Sequence, residues 1–193
     1  GDGDIGNVFG SSVAVSTDGS VIVVGAPQAD GAAPEAGAVY VYHGDGWGEE
    51  KKLYLDPGST GDGFGESVDV SCDGAVIVVG APYVGDPGAV YMYDGDDWGD
   101  RTEFTDFEGN SGDLLGCAVS LCEQLRAIGV GAANYPNEGS EDTGAVYEFD
   151  TAEPYMYHAV TRQDTSCWCD DYGWSLDISS GGLCLIVGAP RYG

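Results

Sequence analysis

The sequence predicts an all-β fold: a β-propeller built of four-stranded blades. Three observations predict it. A 19-residue block occurs four times without a gap, a Gly-Ala-Val-Tyr segment follows it three times, and no segment longer than about ten residues shows helical periodicity. The blocks are FGSSVAVSTDGSVIVVGAP at 9–27, FGESVDVSCDGAVIVVGAP at 64–82, LGCAVSLCEQLRAIGVGAA at 115–133 and YGWSLDISSGGLCLIVGAP at 172–190. Their starts are 55, 51 and 57 residues apart. All length variation lies between blocks, as expected if the block is framework and the rest is loop.

Each piece of the unit predicts a strand. In the first block Val13 and Val15 alternate with small residues, which is strand period. Asp18-Gly19 and Asp73-Gly74 then separate two β-rich runs, a hairpin signal. The run Val21 to Val24 is continuous and apolar, which predicts a strand covered on both faces. Gly-Ala-Val-Tyr at 37–40, 88–91 and 144–147 opens a third strand, with Tyr40 and Tyr42 on one face. A Trp-containing segment follows at 43–55 and 94–104, and its third copy, near Tyr155 to Val160, is degenerate. Lys51 to Leu55 is short and charged, as suits an edge strand. The unit is a four-stranded meander of blade size. One such sheet leaves an apolar face exposed, and stacking a neighbour covers it. The glycines of the block, Gly10 and Gly25 with their equivalents, are expected where backbones approach closely.

The Phe-Gly … Val-Gly-Ala-Pro block followed by Gly-x-Val-Tyr resembles FG-GAP repeats, the blades of integrin α-subunit propellers and of many extracellular proteins of microbes and protists. The resemblance covers essentially the whole chain. It implies blades in chain order, an extracellular or cell-surface setting and adhesion or scaffolding roles. The chain departs from the family in two ways. The turns between the first two strands are too short for the calcium loop that integrin-like blades often carry there. FG-GAP propellers usually have seven blades, whereas this chain gives about three and a half, at about 9–55, 64–104, 115–160 and 172–193. It is therefore expected not to close a ring alone. Three arrangements follow: a longer polypeptide, two copies forming one seven-bladed ring, or a half-blade completed by the next subunit in an open polymer. A start at Gly1, with neither Met nor a signal peptide, suggests a processed product or a segment.

Composition sets the partners. The chain has 33 Asp plus Glu, 6 Lys plus Arg and a formal charge of −27. Nothing here neutralises a run of phosphates, so nucleic acid is not an expected partner. Anionic lipid needs basic clusters that are absent, and no run approaches the roughly 18 apolar residues of a membrane span. Disorder is countered by 42% hydrophobic residues gathered into runs. The expected partners are copies of the chain or the rest of a longer one, with glycans or extracellular matrix as further candidates.

Candidate sites are few. Two residues before each Phe-Gly position stand Asn7, Asp62, Asp113 and Asp170. Asp56, Asp106 and Asp164 precede three of them by six or seven residues. Such carboxylate pairs suit Ca²⁺, and each Asp equally suits a turn cap through its own backbone. The six cysteines, Cys72, Cys117, Cys122, Cys167, Cys169 and Cys184, suggest disulfides rather than a metal site. A Cys72–Cys122 bridge between adjacent blades is one candidate, and Cys117 with Cys167 or Cys169 another. Gly1-x-Gly3-x-x-Gly6 follows no strand and opens no helix, so it is not a dinucleotide site. His43 and His158, the only histidines, have no nucleophile motif beside them, and a non-enzymatic protein is expected. Trp47 and Trp98 occupy equivalent places, to cover a blade edge or to stack on sugars. The variable loops 28–36, 83–87 and 134–143 would form one rim, where a receptor-type propeller would bind a ligand or glycan.

Overall fold

The computed structural model describes residues 6–105, 112–122, 127–133, 144–151, 157–161 (backbone only), 171–179 and 184–190. The strands are β1 (Ser12–Val15), β2 (Ile22–Ala26), β3 (Ala38–His43), β4 (Glu49–Leu53), β5 (Ser67–Val70), β6 (Ile77–Ala81), β7 (Ala89–Asp94), β8 (Asp100–Phe104), β9 (Leu115–Cys122), β10 (Ala127–Ala132), β11 (Ala145–Asp150), β12 (Tyr157–Thr161), β13 (Ser175–Ile178) and β14 (Leu185–Gly188). They form three four-stranded antiparallel meanders and one two-stranded sheet. First strands stack in series: β1 on β5, β5 on β9 and β9 on β13. This is the predicted blade order.

The hairpins are built by the residues that signalled them. Asp18 accepts hydrogen bonds from the Ser20 N–H (2.9 Å) and the Ser16 hydroxyl (2.8 Å), while Ser16 Oγ accepts from the Val21 N–H (3.0 Å). Ser71 and Asp73 repeat the pattern with Ala75 and Val76 in the second blade. Gly19 and Gly74 take the positive φ, 71° and 75°, that such turns require.

The core is a set of layers between blades. Val23, Val39, Val41 and Leu53 of the first blade pack with Phe64, Val68, Val70 and Ile77 of the second. Val78, Val90, Met92 and Phe104 of the second pack with Leu115, Val119, Ile128 and Phe149 of the third. Residues alternating along β6 thus serve opposite layers: Val78 goes to one, Ile77 and Val79 to the other. That is why the strand is apolar without a break.

Candidate functional site

The junction between blades explains why the two motifs travel together. The Gly of Gly-Ala-Val-Tyr in one blade forms a parallel bridge with the Phe-Gly position of the next: Gly37 with Phe64, Gly88 with Leu115, Gly144 with Tyr172. The Phe64 N–H donates to the Ala36 carbonyl (3.2 Å) and the Leu115 N–H to the Pro87 carbonyl (2.9 Å). The Gly of Val-Gly-Ala faces the next blade's Phe-Gly glycine. A methyl group at Gly25, Gly80 or Gly131 would overlap the carbonyl oxygen of Gly65, Gly116 or Gly173 respectively. The same carbonyls accept from a side chain: Ser12 Oγ to Gly65 at 2.9 Å and Ser67 Oγ to Gly116 at 2.8 Å. The third blade has Ala118 in that column, and the Cys117 thiol donates to Gly173 instead (3.4 Å). Burial pushes the Cys117 thiol up to about 11.

A second link runs along the first strands. Ala14, Asp69, Ser120 and Asp177 share one column. Asp69 Oδ2 accepts from the Leu121 N–H of the next blade (2.7 Å). Ser120 Oγ accepts from the Ile178 N–H of the blade after that (3.1 Å) and donates to Asp177 (3.3 Å). Leu121 and Ile178 occupy the same column, one place on. Burial holds the Asp69 carboxyl above the usual carboxylate range, against the pull of its backbone donors.

At the two ends, the same columns lie open. Phe64 is fully buried and Phe9 is 56% exposed. Val68 and Val70 are 9% and 8% exposed, while Val13 and Val15 are 67% and 60% exposed. Trp98 is 9% exposed and Trp47 51%. On the opposite face Val23 and Val78 are fully buried, and Ile186, in their column, is 71% exposed. Sequence and strand are equivalent within each column, and the exposed members are those with no blade stacked on them among the described residues.

Both tryptophans hold their hairpins. The indole N–H of Trp47 donates to the Gly19 carbonyl (2.9 Å) and that of Trp98 to the Gly74 carbonyl (3.0 Å). Trp98 also meets His43 of the preceding blade edge-on at 5.1 Å. Lys51 reaches across the same junction to Asp97 (2.8 Å). A shallow groove of about 390 Å³ runs there, lined in part by His43, Asp73, Asp97 and Trp98. Trp98 therefore covers a blade edge.

Asp56 is exposed, whereas Asp62 is buried and accepts from the Ser59 N–H (2.6 Å), a turn cap. Asp113 is buried as well. Asp106, Asp164 and Asp170 lie outside the described residues, as do Cys167, Cys169 and loop 134–143. Among the described residues no three His, Cys, Asp or Glu side chains gather within metal-ligating reach. The expected Cys72–Cys122 bridge is not formed. Both residues are thiols: Cys122 is fully buried at the end of β9, and Cys72 stands on an exposed turn. Cys117 is also a thiol, turned to the Gly173 carbonyl, and Cys184 is an exposed thiol. Sequence reasoning missed the Asp69–Ser120–Asp177 column. Its signal was a polar residue between two apolar ones at one block position.

Stacked four-stranded meanders with inter-blade cores define a section of a β-propeller. The FG-GAP repeat model matches residues 1–42 and 47–93, the first two blades, and the same block continues through the third and fourth. The match to FG-GAP repeats thus covers somewhat under half of the chain, its N-terminal part. No curated protein matches the sequence. Among solved structures it is similar to TolB from Acinetobacter baumannii, at 15% identity and TM-score 0.58, covering 91% of this chain and 36% of that one. It is also similar to Kuenenia stuttgartiensis hydrazine synthase, at 17% identity and TM-score 0.62, covering 92% and 49%. The Dos1 propeller follows at 13% identity and TM-score 0.55, covering 91% and 41%. At these identities the likeness is one of fold. The chain spans less than half the length of each. No helix among the described residues is long and apolar enough to cross a membrane.

Proposed function

We propose that this protein is a non-enzymatic, extracellular structural or adhesion scaffold whose open blade faces are completed by further blades, with self-assembly into a larger array or filament. The observation that carries the reading is the pairing of columns. Phe9, Val13, Val15, Trp47 and Ile186 are exposed, whereas Phe64, Val68, Val70, Trp98 and Val78 in the same columns between blades are buried. Water-exposed apolar surface arranged in a blade's own contact pattern is surface made for a blade. Elsewhere the charge of −27 forms a solvated shell that keeps the scaffold soluble. In this reading Ca²⁺ is a counter-ion of that shell and of the paired acids.

Electron microscopy of negatively stained native material tests the reading. Closed rings or continuous fibres of stacked blades are expected; isolated arcs of three to four blades would refute it. A second reading, a ligand- or glycan-binding propeller, is favoured by Tyr83, 55% exposed on the loop 83–87. Glycan-array binding that is lost in Tyr83→Ala would support it over the scaffold.

A further inference from the structure

The column of Asp69, Ser120 and Asp177 carries charge where the rest of the inner scaffold carries none. The first and second strands of the four blades are β1, β2, β5, β6, β9, β10, β13 and β14. They hold two charged side chains, Asp69 on β5 and Asp177 on β13, and no Lys, Arg or His. Both carboxylates come to β9, which packs against β5 and against β13. There Ser120, 4% exposed, stands between them. We propose that Asp69 and Asp177 act as one acid pair that takes up a single proton, closing a clasp through Ser120 across the second, third and fourth blades.

A count of hydrogens supports the pair. Ser120 Oγ has one hydrogen and two lone pairs. It donates the hydrogen to Asp177 (3.3 Å) and accepts from the Ile178 N–H (3.1 Å). Asp69 takes backbone donors alone, the Leu121 N–H on Oδ2 (2.7 Å) and the Val70 N–H on Oδ1 (2.8 Å). With both carboxyls ionised, two like charges share one hydroxyl hydrogen and no cation offsets them. One proton from water removes the repulsion and turns Asp69 into a donor. Ser120 Oγ keeps a lone pair for that donor while its own hydrogen stays on Asp177. The chain of bonds then runs from the second blade to the fourth without a gap.

The surroundings leave few other groups to take part. β1, β2 and β6, which pack on β5, carry no titratable side chain. On β9 the titratable groups are the thiols of Cys117 and Cys122. Glu66, just before β5, acts on Cys117. The charge that bears on Asp69 is Asp177, and it works in the same direction as burial, towards the protonated form. The folded chain therefore binds this proton above the ordinary carboxylate range. The stability it contributes is complete at acid pH and is lost as pH rises through that uptake. The inner strands of these three blades are thus held more tightly in mild acid than at neutral pH. The clasp lies within one chain, so it holds whether or not chains assemble.

The test uses the full chain in EDTA, which keeps metal ions from the carboxylates. Carbon-13 NMR follows the Asp carboxyl carbons from pH 8 to pH 3, with Asp69 assigned by its loss in Asp69→Asn. The Asp69 signal is expected to titrate above 3.8 in wild type and at lower pH in Asp177→Asn. Urea midpoints at pH 8 and pH 4 are then compared for wild type, Asp69→Asn, Asp177→Asn, the double variant and Ser120→Ala, with circular dichroism to verify folding. Each single substitution is expected to shrink the rise in midpoint on acidification. The double variant is expected to shrink it by less than the sum of its parts, because one proton is lost once. Four outcomes overturn the proposal: Asp69 titrating at or below 3.8 in wild type, an Asp69 titration that Asp177→Asn leaves in place, additive losses in the double variant, or a Ser120→Ala rise equal to that of wild type. The first is read on the unmodified chain, so it decides even if a variant fails to fold.

Discussion

Gly80→Ala isolates the junction between the second and third blades. The added methyl group would overlap the Gly116 carbonyl oxygen and lie 2.9 Å from its carbonyl carbon, against an ordinary contact of 3.4 Å or more. It would also overlap Ser67 Oγ, which donates to that same carbonyl. Overpacking of this kind costs about 1–3 kcal/mol, and losing the Ser67 bond about 1 kcal/mol more. The entropy that alanine removes from the unfolded chain returns roughly 0.4–1 kcal/mol. A net loss of about 2–3 kcal/mol is expected. Gly188→Ala is the matched control, at the same column of the last blade. There, among the described residues, the methyl group meets only Ser175, whose hydroxyl can turn away. Its expected effect is about zero, with the entropy gain offsetting the crowding. For a domain of this size each kcal/mol moves the Tm by about 2–4 °C, so the two variants should differ by roughly 4–12 °C. Urea melts followed by tryptophan fluorescence give the free energies. Equal losses in the two variants would show that the glycine serves its own strand, and the inter-blade explanation would fail.

Three other predictions concern single side chains. Trp98→Phe removes the donor to Gly74 and is expected to cost about 1 kcal/mol in urea melts, with Trp47→Phe costing less because Trp47 is half exposed. Iodoacetamide at pH 8 is expected to label Cys184 quickly and Cys117 much more slowly in the folded chain, as mapped by peptide mass; Cys117 is only partly accessible and its thiol is pushed up to about 11. The pH profile combines two opposed groups. The carboxyls of Asp69 and Glu66 are raised by burial, so the native state binds more protons than the unfolded chain above the ordinary carboxylate range, and stability rises as pH falls into that window. The carboxyls of Asp18 and Asp73 are lowered, chiefly by the Ser20 and Ala75 N–H groups, so their contribution is complete above the unfolded value of 3.8 and is lost as pH falls below it. Tm should therefore climb as pH falls towards the ordinary carboxylate range and drop as pH falls below 3.8, as scanning calorimetry would register.

Most of the fold was legible because each blade repeats the same local chemistry. Asp18-Gly19 and Asp73-Gly74 marked hairpins, and the apolar run at 76–79 marked a strand with layers on both faces. The pairing of Gly37 with Phe64 was legible only as co-occurrence, since a contact between blades has no sequence spacing of its own. For the acids two readings stood open in the sequence, a Ca²⁺ pair and a turn cap. Spacing placed Asp56 and Asp62 on one loop, but Asp62 turned inward to its own backbone, which needs nothing beyond three residues. Cys72 and Cys122 lay in neighbouring columns, yet one ends in the core and the other on a turn. Column position gives the strand and the height along it; it does not say which way a turn residue faces. The replacement of a serine donor by Cys117 was equally invisible, because it moves the function to the adjacent column.

The central claim is that the chain's exposed blade columns are contact surfaces for further blades, with self-assembly. Hydrogen exchange measured over a range of protein concentration at 0.5 M NaCl tests it directly. The account predicts that exchange in β1 (Ser12–Val15), β13 (Ser175–Ile178) and β14 (Leu185–Gly188) slows as concentration rises, while β5 and β9, already enclosed between blades, stay unchanged. Concentration-independent exchange in all of these strands would contradict it.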